Sequence, residues 1–264
     1  MVASFDAIDR CLNERDPDAK CIAVAALWAD VQDAGLAAPP VEPAPPIGVP
    51  GRPQRPELVP PQKVPRRRLG SDAGRAALVH AIAHIEFNAI NLALDAAWRF
   101  RDRPPGYYTD WLSVAADEAR HFQLLATRLE ELGHRYGDFP AHDGLWDMAM
   151  KTADSCLERM ALVPRVLEAR GLDVTPGMIE RLRQAGDERT IAALEVILAE
   201  EVRHVEIGTR WFHVCCAEAG VDPDETFLTL LETRFDGRLK GPFNVPARTE
   251  AGFSERELLA IGAA

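Results

Sequence analysis

The sequence has no Cys-x-x-Cys pair: its five cysteines are Cys11, Cys21, Cys156, Cys215 and Cys216. That pattern fits reduced thiols used as small buried side chains rather than a disulfide framework. It also lacks positive charge in excess. A net charge of −11 works against long-range attraction to nucleic acid or to an anionic membrane. No apolar run approaches the ~20 residues of a membrane span. Met1–Asp6 shows no basic segment leading into an apolar one, so no secretory signal is visible and the expected location is the cytoplasm. Aromatics make up only 7% of the chain. The chain is instead rich in Ala, Leu, Glu and Arg, which favours helix. At 264 residues it is long enough to bury one sizeable core.

Punctuation divides the chain into four stretches. Residues 1–37 read as two short helices, with Asp16-Pro17 as cap and first helical residue and Gly35 as the stop. Residues 38–70 hold a run with 11 of the 20 prolines, from Pro39 to Pro65, and should be extended chain. This is either a loose linker or an arm that wraps the rest, docked by Ile47, Val49, Leu58 and Val59. Its basic run Pro65-Arg66-Arg67-Arg68 is open to two readings, a phosphate or RNA contact and a solvated linker, the second favoured. Residues 71–220 carry four long helical patterns, about Ala73–Arg101, Thr109–Leu132, Asp147–Ala169 and Asp187–Ala219. Pro164 should kink the third, Gly171 should end it, and Thr175-Pro176 should open a short extra helix. Residues 221–264 should add a helix after Asp222-Pro223 and a tail with a capping box at Ser254 and Glu257. About 14 residues from Gly133 to Trp146 can return the chain along the length of a bundle. The expected fold is all-α: a four-helix bundle with one long crossover, N-terminal helices, a Pro-rich arm and a C-terminal helical extension.

The chemistry-bearing text is a repeat. Asp117-Glu118-Ala119-Arg120-His121-Phe122 returns 83 residues later as Glu200-Glu201-Val202-Arg203-His204-Val205. Positions i and i+3 share a helix face, so Glu118 with His121, and Glu201 with His204, can grip one ion together. The stripes around these residues are apolar: Trp111, Val114, Ala115, Phe122 and Leu125 in the first copy; Leu194, Ile197, Leu198 and Val205 in the second. Glu86 sits in a similar stripe, and Glu158 in a mixed one, with Glu168 near the end of the same helix as the fallback. Carboxylates in a dry core are costly unless paired, and several in one layer repel. Two cations remove both problems. The expected ligands are therefore Glu86, Glu118, His121, Glu158, Glu201 and His204. Asp117 and Glu200 are expected to face away from the ion, though either could orient a ligating His of the neighbouring helix; His84 and Trp111 are expected to be packing residues, with support of the ligands as the alternative. Either Glu118 with Glu201, or Glu86 with Glu158, would bridge the ions.

Glu86, Glu118-x-x-His121, Glu158 and Glu201-x-x-His204 resemble the ligand set of the ferritin-like di-iron carboxylate superfamily. More narrowly, the chain resembles an uncharacterised ferritin-like family known as a domain of unknown function. The matching text is His80-Ala81-Ile82-Ala83-His84-Ile85-Glu86, the two Glu-x-x-His copies, Leu167-Glu168-Ala169-Arg170-Gly171-Leu172-Asp173 and Lys240-Gly241-Pro242-Phe243-Asn244. The resemblance implies two Fe ions, with Mn or mixed Mn/Fe as the alternative, and chemistry with dioxygen or peroxide. It implies oxidation or hydroxylation of a small-molecule or RNA substrate, since a related branch includes a tRNA-modifying hydroxylase. Metal handling, peroxide detoxification and a metal-stabilised bundle without activity are the other readings.

Overall fold

The computed structural model describes residues 2–64, 69–235 and 239–263. The basic run at 65–68 lies outside the described residues. Among them the chain is all-α, with no strand beyond two isolated β-bridges, and it divides into two compact units, Met1–Asp147 and Met148–Ala264.

The first unit is built on two long helices. They follow a short pair, α1 (Phe5–Asn13) and α2 (Pro17–Ala34). Asp16 caps α2, accepting from the Ala19 amide, with Pro17 at the first helical position. The first long helix, α3 (Asp72–Arg99), starts at Ser71, whose side chain accepts from the Gly74 amide. The second, α4 (Pro105–Glu131), also opens on a proline. The turn between them is only about five residues, so α3 and α4 lie antiparallel and pack along their length. By length and composition α3 could cross a membrane, but 83% of its most apolar window is buried. That burial is what a core helix shows.

The Pro-rich segment is a docked arm. The Gly51 amide donates to Leu12 O at 2.8 Å, Val59 N to Ala141 O at 2.8 Å, and Ala141 N to Glu57 O at 3.0 Å. Trp146 donates its indole N–H to Gly48 O at 3.0 Å, and Arg52 pairs with Asp143 at 2.6 Å. Gly51 is required because a Cβ there would overlap the Glu14 carbonyl. Ile47 is buried, whereas Val49 is exposed. Lys20 anchors the base of this unit. It is fully buried and donates to Cys11 O, Leu12 O and Asn91 Oδ1 at 3.0, 3.0 and 2.6 Å, tying the end of α1 to α3.

Beyond α5 (Gly144–Lys151), which holds the boundary between the units, the second unit departs from the expected helix bounds. The third pattern is not one helix ending at Gly171. It comprises α6 (Cys156–Leu162), a π-helical segment Val163–Glu168, and α7 (Ala169–Gln184), which passes straight through Gly171 and Pro176. Pro176 lacks the N–H that would bond Leu172 O. The tail supplies a substitute: Asn244 Nδ2 donates to Leu172 O at 3.2 Å. Burial of Leu172, Asp173 and Thr175 carries the helix past its two breakers. Pro164 does disrupt the ladder, as a π turn.

A tight turn at Gly186 (φ +69°) and the cap Asp187 lead into α8 (Glu188–Ala219), which packs on α6, the π segment and α7. Three short helices follow: α9 (Pro223–Arg234), α10 (Val245–Glu250) and α11 (Glu255–Ala260). The Ser254–Glu257 capping box is present at α11. Two buried ion pairs fasten this tail. Arg248 forks onto Asp173 at 2.9 and 2.8 Å, and Arg165 reaches both oxygens of Glu257 at 2.8 and 2.7 Å.

Candidate metal centre

The antiparallel packing of α3 on α4 brings Glu86, Glu118 and His121 together. All three are at most 4% exposed. Their ligand atoms lie within 4.8 Å of one another, a spacing one metal ion can bridge. His121 Nδ1 is 3.2 Å from Glu86 Oε2 and 3.5 Å from Glu118 Oε2. Both oxygens of Glu118 are sealed from solvent.

Burial by itself would lower the His121 pKa. Hydrogen bonding and charge from Glu118 and then Glu86 outweigh it and raise the pKa to about 11. Without an ion, a ring proton therefore holds the two carboxylates together. Two carboxylates and an imidazole in a dry site form a donor set suited to iron, manganese or zinc. The residues present fit a divalent cation, which would replace that proton.

In the second unit, the other Glu-x-x-His copy has the same local geometry. His204 Nδ1 lies 3.5 Å from Glu201 Oε1, and both residues are buried, His204 completely. The expected fourth carboxylate is placed differently. Glu158 accepts from Arg234 at 2.9 Å near the surface of its unit. Ten residues on, Glu168 closes the π segment with one carboxylate oxygen shielded from solvent.

The register of the helices distinguishes these two acids. Pro164 packs against Gly208, and Arg165 Nε donates to Thr209 Oγ1 at 3.2 Å. The two helices run antiparallel, so four residues on from Pro164 corresponds to four residues back from Gly208. On that register Glu168, not Glu158, is the acid expected near the height of His204. The sequence carried this signal: Glu168 follows Glu86 by 82 residues, almost the 83 that separate the Glu-x-x-His copies.

The remaining candidates hold other places. His84 faces away from the cluster. Its Nδ1 is 2.9 Å from Tyr136 Oη, and its Nε2 is 3.1 Å from both His142 O and the Asn88 amide. Burial lowers its pKa to about 4, so the ring is neutral. Asp117 pairs with Arg120 at 3.0 Å on the half-exposed side of α4. Glu200 is also half-buried. Trp111 is buried and packs edge-on to Tyr107. The arm roofs a cavity of about 710 Å³ on α3, whose floor is His84, Phe87, Asn88 and Tyr136. Phe87 in turn packs on Phe122, the neighbour of His121.

Fold and site together define an all-α protein with a buried carboxylate–histidine cluster able to hold a metal ion. Over residues 13–259 the chain matches the family described as "Protein of unknown function (DUF455)", and it belongs to that family. It is 48% identical over 213 residues to an uncharacterized protein of Haemophilus influenzae, covering 78% of this chain and 74% of that relative. No solved structure matches.

Proposed function

We propose that the chain is a ferritin-like, binuclear non-haem metal carboxylate protein of the cytoplasm, an oxidoreductase that uses dioxygen to oxidise or hydroxylate a substrate. One ion is held by Glu86, Glu118 and His121, the other by Glu168, Glu201 and His204. The observation that carries this reading is the sealed Glu86–Glu118–His121 cluster: two carboxylates and an imidazole converge where water cannot solvate them. The 82- and 83-residue repeat supports a second, equivalent half. In this reading Glu168 takes the place first given to Glu158, supported by the contact of Pro164 with Gly208 and by the pairing of Glu158 with Arg234.

Iron, when bound, supplies the electrons that reduce dioxygen; manganese suits the same donors. The chain's own residues do the rest. Glu86 and Glu118 would balance the charge of one divalent ion, and His121 would give up a ring proton to free a nitrogen for it. Phe87, Phe122 and Trp111 keep bulk water out. The cavity beneath the arm is the place for an organic substrate, within the usual size range of small-molecule sites.

Elemental analysis of protein purified without added metal tests the proposal. About two Fe or Mn per chain is the expected result, with oxygen uptake by the reduced protein. Less than one ion per chain after anaerobic reconstitution would end the reading, and many ions per chain would replace it with storage.

A further inference from the structure

The π segment contains a buried cation that the metal site does not use. Arg165 is fully buried, and its Nη2 lies 2.8 and 2.7 Å from the two oxygens of Glu257. Its Nε donates to Thr209 Oγ1 at 3.2 Å. Its guanidinium carbon stands 4.7, 4.2 and 4.5 Å from the rings of Phe212, Phe227 and Phe253. Three elements thus converge on one side chain: α8, α9 and the tail leading into α11.

A buried ion pair is weak evidence for stability, since apolar residues of similar volume often do as well or better. Such a pair is better explained where it selects one conformation over a close competitor. Here the competitor is evident. A π turn holds one extra residue, so relaxing Val163–Glu168 to regular α-helix would turn everything after it by about 100°. Glu168 would then leave the face it shares with α8. Arg165 lies within the segment and reaches Glu257 and Thr209 together in the π register.

We infer that Arg165, clamped by Glu257 of the C-terminal tail, is a positioning residue that fixes the π turn and thereby aims the Glu168 carboxylate at the Glu201–His204 pair. The inference rests on the reading of Glu168 as a ligand. The 92 residues between Arg165 and Glu257 make the far end of the chain part of the site's construction. Arg248 and Asp173 form a second buried pair that fastens the same tail, but on α7 rather than on the π segment. They provide the control.

The test is titration of the full, metal-depleted chain with Co(II), followed by calorimetry and by the visible absorption of the bound ion. The wild type should bind two Co(II) per chain. Arg165→Met should keep its helical content and one tight ion, lose at least tenfold in affinity for the second, and change the absorption of that ion. Arg165→Lys should recover part of the loss, and Glu257→Gln should reproduce it if Arg165→Met does not fold. Arg248→Met should lower the melting temperature yet retain both ions. A wild type without two Co(II) sinks the metal reading itself. A folded Arg165→Met with two ions at wild-type affinity and spectrum, or an Arg248→Met that loses the same ion, sinks the clamp alone.

Discussion

Pro164 rests directly on Gly208, with no room for a Cβ between them. This contact sets the register of the π segment against α8, one helical turn from His204. Gly208→Ala should therefore destabilise the protein by about 1–3 kcal/mol through overpacking, more than the ~1 kcal/mol that alanine gains over glycine in a helix. A urea midpoint equal to or above that of the wild type would show that the contact does not constrain the fold.

The two candidate carboxylates of the third helical stretch separate by substitution. Glu168→Gln should halve the metal content measured by mass spectrometry of the intact chain. Glu158→Gln should leave it unchanged and cost under about 1 kcal/mol, because its partner Arg234 is largely exposed. The reverse pattern would restore Glu158 as the ligand.

Metal binding at the first half-site should release a proton. The His121 ring, raised to about 11 by Glu118 and Glu86 against the effect of burial, is protonated at neutral pH when no ion is present. A ligating imidazole must give up that proton, so affinity should rise with pH, about tenfold per unit for one proton. Calorimetry in buffers of different ionisation enthalpy counts the protons released. His121→Ala should remove one of them along with the ion.

Lys20 gives the first unit an alkaline signature. Burial lowers its pKa from 10.5 to about 8. Between those values the unfolded chain keeps a proton that the folded chain has lost. Stability from this group is thus fully present above pH 10.5 and is lost as pH falls through about 8. The whole window corresponds to about 3 kcal/mol. Cys11 and Cys21 act in the opposite direction, because burial raises their thiols to about 11 and about 12. The difference between wild type and Lys20→Met in urea midpoints across this range isolates the lysine, and a difference that does not vary with pH would refute its depressed pKa.

Asn244 replaces the hydrogen bond that Pro176 cannot make, and it also caps α10 by accepting from Ala247 N at 3.3 Å. Asn244→Ala should cost about 1–2 kcal/mol. In a Pro176→Ala background the cost should shrink, because the backbone amide restored at that position can bond Leu172 O. Equal costs in the two backgrounds would show that Asn244 does not stand in for the missing amide.

Much of this was legible in the residues. Helix starts at Ser71, Asp187, Asp222 and Ser254 were visible because capping is local chemistry, and all four accept the expected backbone amide. The docking of the Pro-rich arm was not, because it depends on backbone partners such as Leu12 and Ala141 that no sequence pattern marks. Gly171 and Pro176 read as breakers on propensity alone. Burial and a donor from the tail, about 70 residues away, overrode them.

The sequence by itself determined the all-α class, the two Glu-x-x-His pairs and the core stripe that buries Glu86, since each follows from periodicity within one helix. Only tertiary structure decided that Glu86 and His121 meet, that Glu158 turns to Arg234, and that a π turn ends at Glu168. The physical reason is that helical periodicity fixes the face of a residue, while its height against a neighbouring helix depends on packing such as Pro164 on Gly208, which no single helix encodes.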